Sequence, residues 1–337
     1  MRVGVAGASG YAGGEVLRWL AAHPSFELGV ATAERQAGTA IAQHSPSLAA
    51  AYPTAVFADT VPAAFEGCDA VFVALPHGRS AALAEAIGAQ GAVVIDLGAD
   101  FRLRDPATWE HWYHEPHAAP HLLSTAVFGL VERHRPELAG ATLVAVPGCY
   151  PTAAILALGP FLDAGAAASE GVVVDALSGA SGAGRGLDDA LQFSSLADDA
   201  KAYGLLTHRH TAEMEQELGA SVLFTPHLVP IDRGLLVTAY ARATQGLSTE
   251  AALGLLHAAY DSEPFVTVVD EPPSPKAVRG TNVAHVSARV DTRTGWLVAL
   301  CAIDNLGKGA AGQAIQCANV AVGLDETAGL ALAGVWP

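Results

Sequence analysis

Apolar residues fall along this chain in two rhythms. Up to Val146 they come in short runs broken by at most one charged residue, at 3–6, 26–32, 68–75, 92–97 and 143–146. Such runs, bounded by turn signals, read as strands buried on both faces. Between them, 15–22 places Val16, Leu17 and Leu20 on one helical face, and 80–89 reads as another helix. A β-α-β-α-β succession predicts an α/β fold with a Rossmann-like, doubly wound parallel sheet, whose ligands lie beyond the carboxyl ends of the strands. From 171 onward the rhythm changes. Residues 171–177, 234–243, 266–269, 285–290 and 297–303 read as strands, with one amphipathic helix at 249–260. Short strands with fewer helices between them predict a second, α+β domain with a mixed or antiparallel sheet, a kind of surface that often dimerises.

Within this frame, 143–158 reads as strand, tight turn, cysteine and helix. Pro147 and Gly148 end the strand, and Pro151 fits a first helical turn, where a missing N–H costs nothing. Cys149 therefore falls at a helix N-terminus, where backbone amides and the helix dipole favour a thiolate. A buried structural cysteine is the plainer alternative. Near the N-terminus, Gly7-Ala8-Ser9-Gly10-Tyr11-Ala12-Gly13 stands between a strand and a helix, the context that gives a glycine fingerprint meaning for dinucleotide binding. At the end of the second strand, Glu34 suits a ribose hydroxyl and Arg35 a 2′-phosphate; the balance is toward NADP.

Other chemistry-bearing stretches are looser. Pro76, His77, Gly78 and the segment 98–102 fall at strand ends, and Arg102 suits an anion unless it serves a surface salt bridge with Asp100 or Asp105. The histidines of 111–121 match no zinc spacing, and Pro116 and Pro120 break helices, so a surface loop is expected and no metal. The loop 178–186, with Ser181, Gly182 and Arg185, suits phosphate better than a linker. Residues 207–218 predict a helix with Thr211 as N-cap, and place His210 and Glu213 on one face, a proton-transfer group and its orienting carboxylate. Residues 224–228 read as a strand end and turn. The small-residue loop from Asp304 to Gly312, containing Asn305, leads into a closely packing helix.

Composition narrows the classes. With 337 residues, 51% hydrophobic and 15% charged, the chain is large enough for two domains. A net charge of −16 without a basic cluster argues against nucleic acid. No run is long and apolar enough for a membrane span, and no signal-peptide pattern opens the chain, so a cytoplasmic protein is expected. Cys68, Cys149, Cys301 and Cys317 are too scattered for a disulfide framework or zinc knuckle.

The stretches GASGYAGGE, LPHG, ADFR, VPGCYPTA, SGASGAGR, HRHTAE, TPHL and NLGKGAAGQAIQ occur in this order. Together they resemble the N-acetyl-gamma-glutamyl-phosphate reductases of arginine biosynthesis, within the aspartate-semialdehyde dehydrogenase-like superfamily. The resemblance implies an NADP-binding domain at 1–147 completed by the C-terminal span 305–337, and a catalytic and dimerisation domain at 148–304. It implies NADPH-dependent reduction of an acyl phosphate, N-acetyl-L-glutamyl 5-phosphate, to the semialdehyde through a thioacyl intermediate, in a homodimer or homotetramer. Cys149 matches the nucleophile and His210 the acid–base group, with Glu213 supporting it; His208 competes for the proton-donor role and is otherwise a substrate contact, as is Arg102. The cofactor contacts implied are Gly7, Ser9, Gly10, Tyr11, Gly13, Arg35, Pro76, Ser181, Gly182 and Asn305. Where the resemblance leads one to expect Thr-Pro-Glu, this chain has Thr211-Ala212-Glu213, which loses a helix-starting proline. A sister group acting on carrier-bound aminoadipyl phosphate in lysine biosynthesis tends to show Cys-Asn-Ala-Thr where this chain has Cys149-Tyr150-Pro151-Thr152, so the arginine type is favoured. Aspartate-semialdehyde dehydrogenase and a non-catalytic NADP-sensing module are the remaining alternatives.

Overall fold

A computed structural model describes residues 1–336 of the chain. It forms two compact units. One comprises Met1–Pro147 with Ala310–Leu330, the other Gly148–Gly309 with residues 331–336.

The first unit alternates strand and helix: β1 (Arg2–Ala6), α1 (Tyr11–Leu20), β2 (Glu27–Ala31), α2 (Ile41–His44), β3 (Ala70–Val73), α3 (Ala81–Gly88), β4 (Val93–Asp96), α4 (Pro106–Tyr113), β5 (Val127–Phe128), α5 (Val131–Leu138) and β6 (Leu143–Ala145). The six strands pair in the order β2-β1-β3-β4-β6-β5, every pair parallel. β2 and β3 flank β1, so the loops after these three strands share one edge of the sheet, the crevice where doubly wound folds bind nucleotides. Val3, Val5, Val16, Leu17 and Leu20 are buried in a core completed by Ala314, Ile315 and Ala318 of a late helix, α10 (Gly312–Ala321). Small side chains let α10 close against α1 and α5.

Two expectations change here. Residues 111–113, at the start of the 111–121 stretch expected to be loop, belong to helix α4. The Asp105 side chain caps it by accepting from the amides of Ala107 and Thr108, Pro106 occupies its first turn, and His114 ends it at φ 58 before Pro116 is reached. The span 305–337 also does not belong wholly to the first unit. Asn305 Oδ1 accepts from Gly234 N at 2.7 Å, the buried Asp304 carboxylate accepts from the amides of Leu306 and Gly307, and Ala331 O accepts from Asn282 N. These bonds hold 305–309 and the residues after 330 in the second unit; Pro337 lies outside the described residues.

The second unit begins with α6 (Cys149–Asp163), then β7 (Val172–Gly179), α7 (Phe193–Leu196), β8 (Lys201–Ala202), α8 (His210–Leu218), β9 (Val222–Val229), β10 (Leu235–Arg242), α9 (Thr249–Tyr260), β11 (Val266–Val268), β12 (Ala284–Asp291) and β13 (Trp296–Ile303). The strands form one mixed sheet in the order β11-β12-β13-β10-β7-β9-β8. α6 packs on β10 and β13, and α9 on β12, so alternate residues such as Val174, Val237, Ala239, Ala299 and Val286 are buried. Leu177 and Leu223 point to the opposite face and are exposed. Residues 224–228, expected to end a strand, lie inside β9. Pro226 is tolerated because the edge strand β8 pairs only with His227 and Leu228, just beyond it.

The glycine turn of the first unit tolerates no added carbon at two positions. A Cβ on Gly7, whose φ is +73°, would meet Ala74 O, and one on Gly13 would meet Gly7 O and stand 2.8 Å from Ala8 Cα. Gly13→Ala should therefore cost roughly 1–3 kcal/mol, read as a lower melting temperature, whereas Gly14→Ala, with its nearest neighbour at 3.8 Å, should be tolerated.

Candidate active site

The site in the second unit is built where α6 starts. Gly148 ends its preceding loop in extended conformation (φ −65°, ψ 159°), and Cys149 is the first helical residue, with no side-chain cap. Thr152 returns both its amide and its hydroxyl to Gly148 O, which closes the first turn. Pro151 sits in that turn without needing a donor. The cysteine is partly accessible, unlike Cys68, Cys301 and Cys317, which are buried.

Helix α8 supplies the second component. The carboxylate of Glu213, fully buried, accepts the Gly148 N–H through Oε2 at 2.9 Å. Its other oxygen stands 3.9 Å from His210 Nε2. A Cβ added to Gly148 would strike the His210 ring, so the Cε1–Nε2 edge of the imidazole lies against the residue preceding the cysteine. One carboxylate thus faces both the backbone entering Cys149 and the ring beside it. On the other flank, Gly309 has no room for a side chain, since a Cβ there would stand 2.7 Å from Cys149 Cβ. Gly309 lies in a single π-helical turn, and that backbone comes this close to the cysteine because Gly309 carries no side chain.

His208 does not share the setting of His210. Its ring packs edge-to-face against Tyr150, Tyr203, Phe224 and His210, with centroids 4.7–5.7 Å apart. Its Nδ1 accepts the His210 amide at 3.2 Å. Burial first, then the neighbouring His210, push its pKa down to about 3. An imidazole acceptor at this helix start also corrects the expected N-cap: α8 begins at His210, Thr211 lies within it, and the His208 ring and carbonyl receive the first amides. Tyr150 and Tyr203 join their hydroxyls at 2.8 Å, and burial raises both, Tyr203 to about 12. Tyr203 belongs to no recognisable spacing motif, and although Tyr150 stands beside Cys149 in VPGCYPTA, nothing in the sequence pairs it with Tyr203.

The structure also gathers two loops distant in sequence. Asn305 Nδ2 donates to Ser181 Oγ at 2.9 Å, and Gly182 lies within 3.7 Å of the same amide group once a Cβ is imagined on it. Ser181, Gly182 and Asn305 therefore form one cluster of the second unit. Arg185, in the same loop, is exposed.

In the first unit, Gly7, Ser9, Gly10, Tyr11 and Gly13 form the turn from β1 into α1. Gly10 is the N-cap residue and no side chain caps the helix. Amides of a first helical turn lacking intrahelical partners, on a backbone too close to its neighbours for side chains, fit a dinucleotide pyrophosphate. Arg35 and Pro76 are exposed on the loops after β2 and β3. Arg102 is 8% exposed, with Nη2 bonded to Leu97 O at 2.9 Å. Asp100 accepts from the amides of Gly78, Ser80 and Ala81 at the start of α3. Asp96, which the sequence pattern did not single out, is buried beside it; desolvation, then the Asp100 charge, push it up to about 7. Among the described residues no group of three or more His, Cys, Asp and Glu side chains is placed to hold a metal, and no helix is long and apolar enough to cross a membrane.

A dinucleotide-binding sheet in one unit, and a cysteine, histidine and glutamate at one helix start in the other, define an enzyme of the semialdehyde dehydrogenase class. Family models agree: "Semialdehyde dehydrogenase, NAD binding domain" matches residues 2–141 and "Semialdehyde dehydrogenase, dimerisation domain" matches 149–305. Two curated relatives, both N-acetyl-gamma-glutamyl-phosphate reductases, are similar over the whole chain. That of Symbiobacterium thermophilum is 48% identical, covering 100% of this chain and 99% of its own. That of Saccharopolyspora erythraea is 46% identical with the same coverage. The chain belongs to the N-acetyl-gamma-glutamyl-phosphate reductase family. Among solved structures, the aspartate semialdehyde dehydrogenase of Candida albicans, crystallised with NADP, shares the fold at TM-score 0.70 and 16% identity, over 95% of this chain and 97% of that one.

The depressed pKa of His208 has a stability consequence. Its folded value, about 3, lies below its unfolded value, 6.5. Between these limits the unfolded chain binds the proton and the folded chain does not, so stability falls as pH drops below 6.5. From pH 6.5 to 5 the loss amounts to as much as about 2 kcal/mol. His208→Gln should shrink the drop in melting temperature between pH 7 and pH 5; an unchanged drop would show that His208 is not held neutral.

Proposed function

We propose that this chain reduces N-acetyl-L-glutamyl 5-phosphate to N-acetyl-L-glutamate 5-semialdehyde with NADPH, releasing phosphate, through a thioester on Cys149. The observation that carries this reading is the Glu213 carboxylate, which binds the amide of Gly148 and faces His210 at the same time. It makes the cysteine and the histidine one unit, as thiol-based acyl transfer requires. The names of the full-length relatives give the substrate.

The chemistry follows from these positions. The Cys149 thiolate, favoured by the helix N-terminus, attacks the acyl carbon. A C–S bond forms, the C–O bond to phosphorus breaks, and phosphate leaves with that electron pair and one proton from solvent. The Gly148 N–H is committed to Glu213, so the oxyanion formed during transfer falls to the amide of Tyr150 in the first helical turn, where no intrahelical carbonyl competes. A thioester accepts hydride far more readily than a carboxylate, and the reduced nicotinamide, when bound, is the hydride donor. His210 gives a proton to the oxygen of the thiohemiacetal and takes it back as the C–S bond breaks, returning the electron pair to sulfur and freeing the aldehyde. Glu213 is a positioning residue. His208, neutral and boxed by rings, serves the same end by fixing the His210 backbone; we assign it no proton transfer and no direct substrate contact. Arg102 is retained as the substrate-anion group of the first unit.

The first unit binds the dinucleotide, and Arg35 selects NADP. The open face of the mixed sheet, with Leu177 and Leu223 exposed, is the surface by which the chain forms a homodimer or a larger homo-oligomer, acting in the cytoplasm.

Two variants test the reading in a phosphate-dependent NADP reduction assay with N-acetylglutamate semialdehyde. Cys149→Ser should lose at least about a thousandfold in kcat; retention of full activity would remove the nucleophile assignment. His210→Asn should lose about a hundred- to ten-thousandfold in kcat with cofactor affinity unchanged; a loss of cofactor binding would place the ring elsewhere. Equal turnover of aspartate semialdehyde by the wild type would overturn the substrate choice.

A further inference from the structure

We propose that Arg79 sets the cofactor preference of the first unit. With Arg35 it forms the binding site for the 2′-phosphate of a dinucleotide, and it also withdraws Glu34 from the ribose. The proposal rests on the NADP reading above and adds a residue that the glycine turn and the end of β2 do not contain.

The placement follows from the sheet order. β2 and β3 lie on either side of β1. Glu34 and Arg35 follow β2, Arg79 stands between β3 and α3, and the glycine turn follows β1. Arg79 Nη2 reaches Glu34 Oε1 at 2.8 Å. This ion pair therefore joins the two loops that flank the glycine turn, across the end of β1 where the adenosine half of a dinucleotide is held in such folds.

The charges decide what that site prefers. A carboxylate at the end of β2 accepts the 2′- and 3′-hydroxyls of an NAD ribose and repels a 2′-phosphate. Here the carboxylate is already neutralised. Both side chains are well exposed, 63% for Arg79 and 59% for Glu34, and an ion pair in water contributes only about 0.2–1 kcal/mol. A phosphate carries more charge than a carboxylate, and because Arg79 holds Glu34 through Nη2, its other guanidinium nitrogens can take up the phosphate while the ion pair is kept. Arg35, also exposed, brings a second guanidinium to the same loop pair.

The backbone under Arg79 is fixed in advance. Asp100, 1% exposed, accepts from Gly78 N at 2.7 Å and from Ser80 N at 3.0 Å, the amides on either side of Arg79. Arg79 N donates to Pro76 O at 3.2 Å, closing the turn. The long side chain thus springs from a rigid base, which lowers the ordering entropy of binding. A buried carboxylate in the first unit serves this loop, not the chemistry of the second unit.

The test is ligand binding, not turnover. Dissociation constants would be measured by fluorescence titration for NADPH and NADH, and by calorimetry for adenosine 2′,5′-bisphosphate and 5′-AMP, on the full chain. Arg79→Gln should weaken NADPH and the bisphosphate by about tenfold or more, the loss of one charge-assisted contact, with 5′-AMP unchanged and NADH unchanged or tighter. Glu34→Gln should keep or improve NADPH binding, because it frees Arg79. If the wild type prefers NADPH and Arg79→Gln keeps the same NADPH-to-NADH ratio within about twofold, well under the effect of a lost charged contact, the assignment of Arg79 is wrong while the NADP reading stands. If the wild type itself binds NADH and 5′-AMP as tightly as their phosphorylated counterparts, the NADP reading fails and the role of Arg79 fails with it.

Discussion

The hydrogen bond from Gly148 N–H to the buried Glu213 carboxylate is the constraint on which the second unit depends. A carboxylate with no solvent access must be stabilised by donors, and this one finds a donor in the backbone at the mouth of α6. The bond ties α8 to α6 at the residue before the cysteine. It also fixes which face of α8 turns inward, and so where His210 lies. The absence of a side chain at Gly148 and at Gly309 then lets a ring approach on one flank and a backbone turn on the other. Three helical or near-helical segments meet at Gly148 and Cys149 because two positions have no Cβ and one carboxylate is buried.

The first unit follows a different economy. Its sheet is parallel and covered on both sides, and its functional groups lie on loops at one edge. Those loops are held by buried acids rather than by packing alone: Asp100 binds three amides at the start of α3, and Asp96 takes a bond from Ser80 and another from Gly98. Acids of this kind order a loop from beneath by accepting its amides and hydroxyls.

Much of this was legible in the residue pattern. Apolar runs identified the parallel sheet, and short strands with few helices between them marked the mixed one; helix α9 lies where its periodicity put it. The cysteine was legible because proline and glycine punctuate its turn, and His210 with Glu213 because they stand three positions apart on a helix. What the pattern hid depended on tertiary neighbours. Thr211 has the chemistry of an N-cap, but the His208 ring lies closer to the first amides. Pro226 reads as a strand breaker, yet the sheet leaves its missing donor unpaired by β8. Asp105 and Pro106 hold a full helix start, but the histidines and prolines that follow drew the reading toward a loop. Ser181 and Asn305 are far apart in sequence, and only the fold joins their side chains.

The return of α10 to the first unit has a consequence for how the chain is made. Ala314, Ile315 and Ala318 fill the same core as Val3, Val5 and Leu17, yet most of the second unit is synthesised between them. A ribosome releasing this chain emits the first sheet early and its last core helix near the end. During that interval the apolar face of α1 is without its final cover, the condition under which nascent domains aggregate or wait on chaperones. The second unit, by contrast, is almost continuous in sequence and can assemble its sheet while the first is still incomplete. Maturation of the nucleotide-binding half is thereby timed by translation of the chemical half.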